Sequence, residues 1–121
     1  MSTVCRVLIV DDEPEVASTL QEAVTQMGYE AEVALSGPDA LARFPAFRPD
    51  IVLLDLAMPR MPGEIVLERL RQLDPKLPVI MVTANADLEL AKRTLELGAF
   101  DYIMKPFELD HLATVLEAAL V

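Results

Sequence analysis

Short apolar blocks alternate five times with segments in which apolar residues recur every three or four positions. The blocks are typical of strands buried on both faces, and they cover residues 5–10, 29–35, 51–54, 79–82 and 102–104. The spaced apolar residues are typical of helices, over residues 14–27, 36–44, 65–73, 87–97 and 108–120. Such alternation indicates βαβ units, whose right-handed crossovers place helices on both faces of a parallel sheet. We therefore predict an α/β fold, a doubly wound sandwich of five strands and five helices in a single domain over residues 1–121.

Proline and glycine mark the predicted ends of the helices. Pro14 suits the first turn of the first helix, and Gly28 stops that helix. Pro45 and Pro49 bracket the loop that we predict after the second helix. Gly98 caps the fourth helix.

The inward faces of the last two helices can be predicted from spacing. In the last helix the inward residues are predicted to be Leu112, Val115, Leu116 and Ala119. In the fourth helix the stripe is Leu88, Ala91 and Leu95. Leu90 lies off this stripe, so it is either a singly exposed leucine or part of an output surface.

Charge and composition narrow the possible functions. The net charge is −10, which argues against direct nucleic-acid binding because that needs a basic surface. Hydrophobic residues make up 53% of the chain, yet no apolar run approaches the roughly 20 residues of a membrane span. Cys5 is the only cysteine, which excludes an internal disulfide, and the first residues show no signal-peptide pattern. These features favour a cytoplasmic location.

Polar side chains follow four of the five predicted strands. Asp11 and Asp12 follow the first strand, Asp55 the third, Thr83 the fourth and Lys105 the fifth. Ligands of such sheets bind outside the carboxyl ends of the strands, so these side chains are expected to converge at one edge.

The converging groups fit magnesium and phosphoryl chemistry. Clustered carboxylates repel one another, and oxygen ligands suit Mg²⁺. A carboxylate next to such a cation can attack phosphorus and form an aspartyl phosphate. Lys105 could neutralise the phosphoryl group and Thr83 could hydrogen-bond to it. Asp11 and Asp12 could alternatively cap the first helix, and we expect one of them to do so as well.

Four segments resemble a known family in order and spacing: VLIVDDEP, DIVLLDLAMPRMPG, VIMVTAN and GAFDYIMKPF. Over nearly its whole length the chain resembles the receiver domain of two-component response regulators. The resemblance implies a CheY-like, flavodoxin-like sheet with the strand order 2-1-3-4-5. It also implies that Asp55 is the phosphoacceptor and that Lys105 pairs with the phosphoryl group.

The resemblance assigns further roles at the same edge. Asp12 and Asp55 would bind Mg²⁺ directly, Asp11 would bind it through water, and the backbone carbonyl of Ala57 would be another ligand. Thr83 and Tyr102 would form the switch pair, and Pro106 would follow a cis peptide bond. Ala57 and Asn85 occupy positions that tune dephosphorylation in the family; Ala57 cannot orient water, whereas Asn85 could. Pro62 departs from the polar residue that is frequent there, which predicts a stiffer loop.

The resemblance implies a sensor histidine kinase or a histidine phosphotransfer protein as the phosphoryl donor. Contact is expected near Pro14, Glu15, Ser18 and Phe107. The fourth helix, fifth strand and fifth helix would form the surface that changes on phosphorylation, and the same surface is a candidate for homodimerisation. No membrane or direct nucleic-acid contact is expected.

Two other functions are weighed against this signalling role. One is a receiver-like interaction module that works without phosphorylation, against which the complete set of Asp55, Thr83 and Lys105 argues. The other is a Mg²⁺-dependent phosphatase, which would need a proton-donating acid where Ala57 stands. We therefore expect no enzyme activity beyond the domain's own phosphorylation and dephosphorylation. Whether the chain is a complete single-domain regulator or a fragment of a longer one stays open.

Overall fold

The structure, a computed structural model, describes residues 4–84 and 88–121. Strands and helices alternate in the order β1 (Arg6–Val10), α1 (Pro14–Gln26), β2 (Glu30–Ala34), α2 (Gly37–Phe47), β3 (Ile51–Leu54), α3 (Gly63–Leu73), β4 (Val79–Thr83), α4 (Leu88–Glu96), β5 (Asp101–Met104) and α5 (Leu109–Ala119). The five strands are all parallel and lie in the order β2-β1-β3-β4-β5. The predicted fold class and strand order are thereby confirmed.

The sheet has an apolar layer on each face. Alternate residues of a strand point to opposite faces, so a buried parallel strand must be apolar throughout. In β3, Ile51 and Leu53 pack with residues of α1 and α5. Val52 and Leu54 pack on the other face, with residues of α2 and α3. The middle of the sheet is therefore covered on both sides, and polar groups are left to its edges.

Helix α2 extends past the position where we predicted its end. Pro45 lies inside this helix, whereas the sequence suggested that it began a loop. The Pro45 ring is exposed, and Phe47, only 7% exposed, packs into the core two residues later. The helix ends at Arg48, whose backbone is left-handed and whose N–H donates to the Phe44 carbonyl. Burial of Phe47 explains why the helix continues despite the hydrogen bond that a proline cannot make.

The inward face of α4 differs from the predicted stripe. Leu88 and Leu95 are 75% and 45% exposed, whereas Ala91 and Thr94 are buried. Leu90 is half-buried and packs against the core cluster next to the sheet. Thr94 fits this inner face because its hydroxyl donates to the Ala91 carbonyl at 2.7 Å. The prediction for α5 is better: Leu112, Val115 and Leu116 are buried, and Ala119 is half-buried.

No helix in the described ranges is long and apolar enough to cross a bilayer.

Candidate functional site

Three carboxylates meet at the carboxyl edge of the sheet, as predicted. Backbone hydrogen bonds carry the sheet one residue past its strands: Asp11 N–H donates to Ala34, and Asp55 N–H donates to Val10. Asp11 and Asp55 are only 1% and 4% exposed. Asp12 is half-buried, and one oxygen from each of the three lies within 4.8 Å of the others. Parallel pairing of β1 with β3 therefore produces the cluster.

Lys105 is bound to the first of these acids. Its Nζ lies 2.9 Å from Asp11 Oδ2. Its backbone N–H donates to the Thr83 carbonyl at 2.8 Å, and the Lys105–Pro106 peptide bond is cis. The sequence placed Lys105 at this edge correctly but did not predict its pairing with Asp11.

Asp11 also serves the start of α1. Its Oδ1 accepts a hydrogen bond from the backbone N–H of Glu13 at 3.0 Å. Glu13 is the N-cap residue of α1, and its own side chain makes no capping hydrogen bond. One acid of the pair thus supports the helix start, as the second interpretation of the sequence expected. Both oxygens of Asp11 are used, one by the backbone and one by Lys105.

Asp55 keeps one carboxylate oxygen without a hydrogen bond from the described residues. Its Oδ1 accepts from the backbone N–H of Ala57 at 3.2 Å. Burial raises the pKa of Asp55 above its usual value. The Asp11 and Asp12 carboxylates add to the rise, while the Ala57 N–H and the Lys105 ammonium oppose it. The ionised form of Asp55 is therefore under electrostatic pressure that a cation would relieve.

Gly63 lets the next helix approach this backbone closely. A Cβ atom on Gly63 would lie 2.6 Å from the Asp55 carbonyl oxygen and 2.8 Å from Leu56 Cα. The Gly63 N–H also donates to the Leu56 carbonyl at 3.2 Å. Helix α3 is thus held directly against the phosphoacceptor candidate. The sequence matched Gly63 to a family motif without showing this contact.

The predicted switch residues lie on neighbouring strands. Thr83 ends β4 and is fully buried, while Tyr102 in β5 is half-buried and packs against the core. Tyr102 pairs with Met81 in the strand register, and Thr83 pairs with Met104. The Tyr102 Oη is buried and finds no hydrogen-bond partner in the described part of the chain. Asn85 lies outside the described residues.

The donor set fits a hard divalent cation. Three carboxylates offer oxygen atoms within one coordination sphere's reach of each other, and two of the three are almost fully buried. The raised pKa of Asp55 shows that the cluster lacks positive charge even with Lys105 present. Asp11, Asp12 and Asp55 are therefore suitable ligands for Mg²⁺. The role of the Ala57 carbonyl stays a prediction.

An apolar groove lies next to the site, between α1 and the segment that follows Lys105. It has a volume of about 430 Å³, and Val16, Leu20, Pro106, Phe107 and Leu109 contribute apolar walls. Glu15 also lines it. Two of the residues predicted to contact a phosphoryl donor, Glu15 and Phe107, therefore share one concave surface.

A parallel sheet of this order with acids after β1 and β3, a threonine after β4 and a lysine after β5 defines a receiver domain. Residues 7–117 match the family model of the response regulator receiver domain, and the chain belongs to that family. It is accordingly a receiver module of two-component signalling.

Curated relatives are full-length regulators. The chain is 42% identical over 120 residues to the regulatory protein AtoC of Escherichia coli, covering 99% of this chain and 26% of AtoC. It is 36% identical over 114 residues to the DNA-binding transcriptional regulator NtrC of Salmonella typhimurium, covering 94% of this chain and 24% of NtrC. The chain thus spans about a quarter of the length of these relatives.

Solved structures agree on the fold. A CheY-like response regulator receiver domain protein from Methanospirillum hungatei has a TM-score of 0.93 and 33% identity, covering 98% of this chain and 94% of that one. NtrX from Brucella abortus in complex with ATP has a TM-score of 0.92 and 32% identity, covering 98% of this chain and 27% of NtrX.

Proposed function

We propose that Asp55 accepts a phosphoryl group from a histidine kinase or a histidine phosphotransfer protein, in a reaction that depends on Mg²⁺. The observation that carries this proposal is the cluster of Asp11, Asp12 and Asp55 with Lys105 at the carboxyl edge of the sheet. Membership of the receiver family supports the same conclusion.

Each acid has a distinct part in the proposal. Asp12 and Asp55 hold Mg²⁺ directly, Asp11 holds it through water, and the Ala57 backbone carbonyl completes the protein ligands. When bound, the cation neutralises charge on the carboxylates and on the phosphoryl oxygens. Asp55 Oδ2 is the attacking atom, because the described residues leave it without a hydrogen bond while Oδ1 is held by Ala57.

Lys105 and Thr83 receive the transferred group. The new P–O bond forms at Asp55 as the P–N bond to the donor histidine breaks, and the electron pair of that bond leaves with the imidazole. Lys105 then neutralises a phosphoryl oxygen, and the Thr83 hydroxyl donates to another. Lys105 can do this once a cation compensates Asp11, its partner at 2.9 Å. Transfer of this kind needs mainly positioning and charge neutralisation.

Phosphorylation would act through Thr83 and Tyr102. A phosphoryl group adds about −1.5 to −2 charge and strong acceptors. Movement of Thr83 toward it would free space on the face of the sheet where Tyr102 packs. Reversing a population from 1:99 to 99:1 needs about 5.5 kcal/mol, more than the roughly 1.5–3 kcal/mol of one charged hydrogen bond. The Lys105 contact, or a partner that binds the active form, supplies the remainder.

The phosphoryl donor would dock in the groove between α1 and the segment after Lys105. Its apolar walls suit a helix face, and Phe107 lies two residues from Lys105. The output surface would be formed by α4, β5 and α5, where Leu88, Leu95 and Met104 are exposed. The same surface would serve in a homodimer.

The setting proposed for the protein is cytoplasmic. Residues 1–121 form one receiver domain, which performs no chemistry beyond its own phosphorylation and dephosphorylation and makes no direct contact with nucleic acid or membrane. The net charge of −10 supports this proposal, because it disfavours contact with phosphate backbones. The relative named a DNA-binding transcriptional regulator is about four times longer, so an output of that kind would belong to a further part of the protein.

Incubation with acetyl phosphate and Mg²⁺ tests the proposal by intact mass. We expect the mass to rise by one phosphoryl group, and the gain to disappear with EDTA and in Asp55→Asn. Asp50→Asn is the matched control, because Asp50 precedes β3 at the opposite edge of the sheet and bonds to the Arg6 N–H. A mass gain that persists in Asp55→Asn would refute the assignment. No gain in the wild type would favour the phosphorylation-independent interaction module.

A further inference from the structure

A cavity of about 150 Å³ opens beside the carboxylate cluster. Asp12 forms part of its wall, and the loops after β2 and β3 form the rest. Leu35, Met58 and Met61 make much of this lining apolar. The volume is well above what a single water needs. The site therefore continues on one side into a space suited to a small, partly apolar group.

Arg60 is the one cation among the residues that line this cavity. Its side chain is exposed and makes no hydrogen bond or ion pair with any residue of the described ranges. Lys105, by contrast, is already paired with Asp11. Arg60 is thus a cation beside the acid cluster whose charge the described protein has not used.

An anionic phosphoryl donor meets a charge barrier at this edge of the sheet. The chain carries a net charge of −10, and three carboxylates lie together at the point of attack. A cation at the mouth of a cleft lowers such a barrier and raises the rate of encounter. The position of Arg60 meets this need on the side of Asp12.

We propose that Arg60 determines specificity for small acyl phosphates, by binding the carboxylate that leaves when the phosphoryl group moves to Asp55. This inference rests on the proposed phosphorylation of Asp55. In the reaction the P–O bond to the acyl group breaks, and its electron pair stays on the departing carboxylate. The new P–O bond forms with an Asp55 oxygen. A carboxylate and a dianionic acyl phosphate thereby give a dianionic aspartyl phosphate and a carboxylate, and no proton is required.

The chemistry of arginine suits this leaving group. Its guanidinium binds a carboxylate through two parallel hydrogen bonds, which a lysine cannot reproduce. The short acyl chain would lie against Leu35, Met58 and Met61 in the cavity. A donor whose leaving group is neutral gains nothing from Arg60. Phosphoramidate is such a donor, because its nitrogen departs as ammonia.

The test compares phosphorylation by acetyl phosphate and by phosphoramidate in Arg60→Gln and wild type, in saturating Mg²⁺. With acetyl phosphate we expect the second-order rate constant to fall about two- to fivefold, the range of an exposed ion pair. With phosphoramidate we expect little change. Raising the salt concentration should narrow the difference seen with acetyl phosphate. Arg60→Lys should recover part of the rate.

Arg69→Gln is the matched control, because Arg69 is exposed on α3, lines a different groove and changes the net charge equally. The proposal is overturned if Arg60→Gln matches the wild type with acetyl phosphate, if it slows both donors equally, or if Arg69→Gln has the same effect. These outcomes differ from failure of the proposed function, in which neither donor would phosphorylate the wild type at Asp55.

Discussion

Lys105 Nζ lies 2.9 Å from Asp11 Oδ2, and this ion pair joins residues 94 positions apart in the chain. The side chains are 17% and 2% exposed. The pair connects the ends of β5 and β1, which are separated in the sheet by β3 and β4. It is the contact through which the acid cluster is partly neutralised before any cation binds.

Replacing Lys105 should therefore destabilise the protein when no metal is present. In EDTA we expect Lys105→Met to lower the free energy of unfolding by roughly 3 kcal/mol, because a buried carboxylate loses its partner. Urea denaturation measures this. Lys76→Met is the control, since Lys76 is exposed and only its backbone N–H forms a hydrogen bond. Mg²⁺ should raise the melting temperature more in Lys105→Met than in the wild type. Equal shifts would show that Lys105 does not compensate the cluster.

Magnesium should stabilise the wild-type protein. A ligand at 100 times its dissociation constant contributes about 2.7 kcal/mol when only the folded state binds it. We expect millimolar Mg²⁺ to raise the melting temperature, and Asp12→Ala to abolish most of this rise. In EDTA, Asp12→Ala should be more stable than the wild type, because one of three clustered charges is gone. Melting that ignores Mg²⁺, together with normal phosphorylation of Asp12→Ala, would contradict the metal site.

Stability without metal should fall as pH rises. The pKa of Asp55 is raised in the folded state, chiefly by burial, so the folded protein holds this proton at a pH where the unfolded chain has lost it. Between the usual aspartate pKa of about 3.9 and the raised value, each step in pH therefore favours unfolding. Above the raised pKa this contribution levels off.

Asp55→Asn removes this contribution to the pH dependence. In EDTA the free energy of unfolding of Asp55→Asn minus that of the wild type should grow through this interval and then become constant. Urea denaturation at a series of pH values measures the difference. Asp50→Asn, at the other end of β3, should show no such growth. A difference that is flat or shrinks with pH would mean that Asp55 ionises freely in the fold.

Gly63→Ala should be costly because the added methyl group meets backbone. Its Cβ would lie 2.6 Å from the Asp55 carbonyl oxygen, which cannot rotate away. We expect a loss of about 1–3 kcal/mol in the free energy of unfolding and slower phosphorylation, since relief of the clash displaces Asp55. Gly28→Ala is the contrasting variant: its Cβ meets nothing within 4 Å, but its φ is +99°. It should lose about 1 kcal/mol and keep its phosphorylation rate.

Tyr102→Phe should stabilise the unphosphorylated protein. The buried Oη lacks a partner among the described residues, and an unsatisfied buried group costs about 1–3 kcal/mol. Urea denaturation should show a higher free energy of unfolding. If the hydroxyl finds a partner in the active state, a phosphate analogue should stabilise Tyr102→Phe less than the wild type. Unchanged NMR shifts around Tyr102 and residues 88–97 on analogue binding would contradict the proposed switch.

The sequence predicted the strands and their ends well because both have strong local signals. A strand buried on both faces must be apolar throughout, so the change to Asp11 or Asp55 marks the edge of the sheet sharply. The adjacency of strands then places these acids together without knowledge of any side-chain position.

Helix faces were harder to predict because they depend on what each helix packs against. On α4 the inner face is narrow, with Ala91 and Thr94 buried, and the more hydrophobic Leu88 points outward. Pro45 was misinterpreted because the burial of Phe47 outweighs a local signal for termination. The pairing of Lys105 with Asp11 could not be predicted, since nothing local determines which acid a lysine chooses.

The direction of β1 also has a practical consequence for experiments. Cys5 precedes this strand and Asp11 follows it, so roughly 20 Å of extended chain separates them at about 3.3 Å per residue. Cys5 is partly exposed and is the only thiol in the sequence. A fluorophore or surface tether attached there would leave the reacting edge of the sheet open, so the same labelled molecule could be followed through phosphorylation, metal exchange and partner binding.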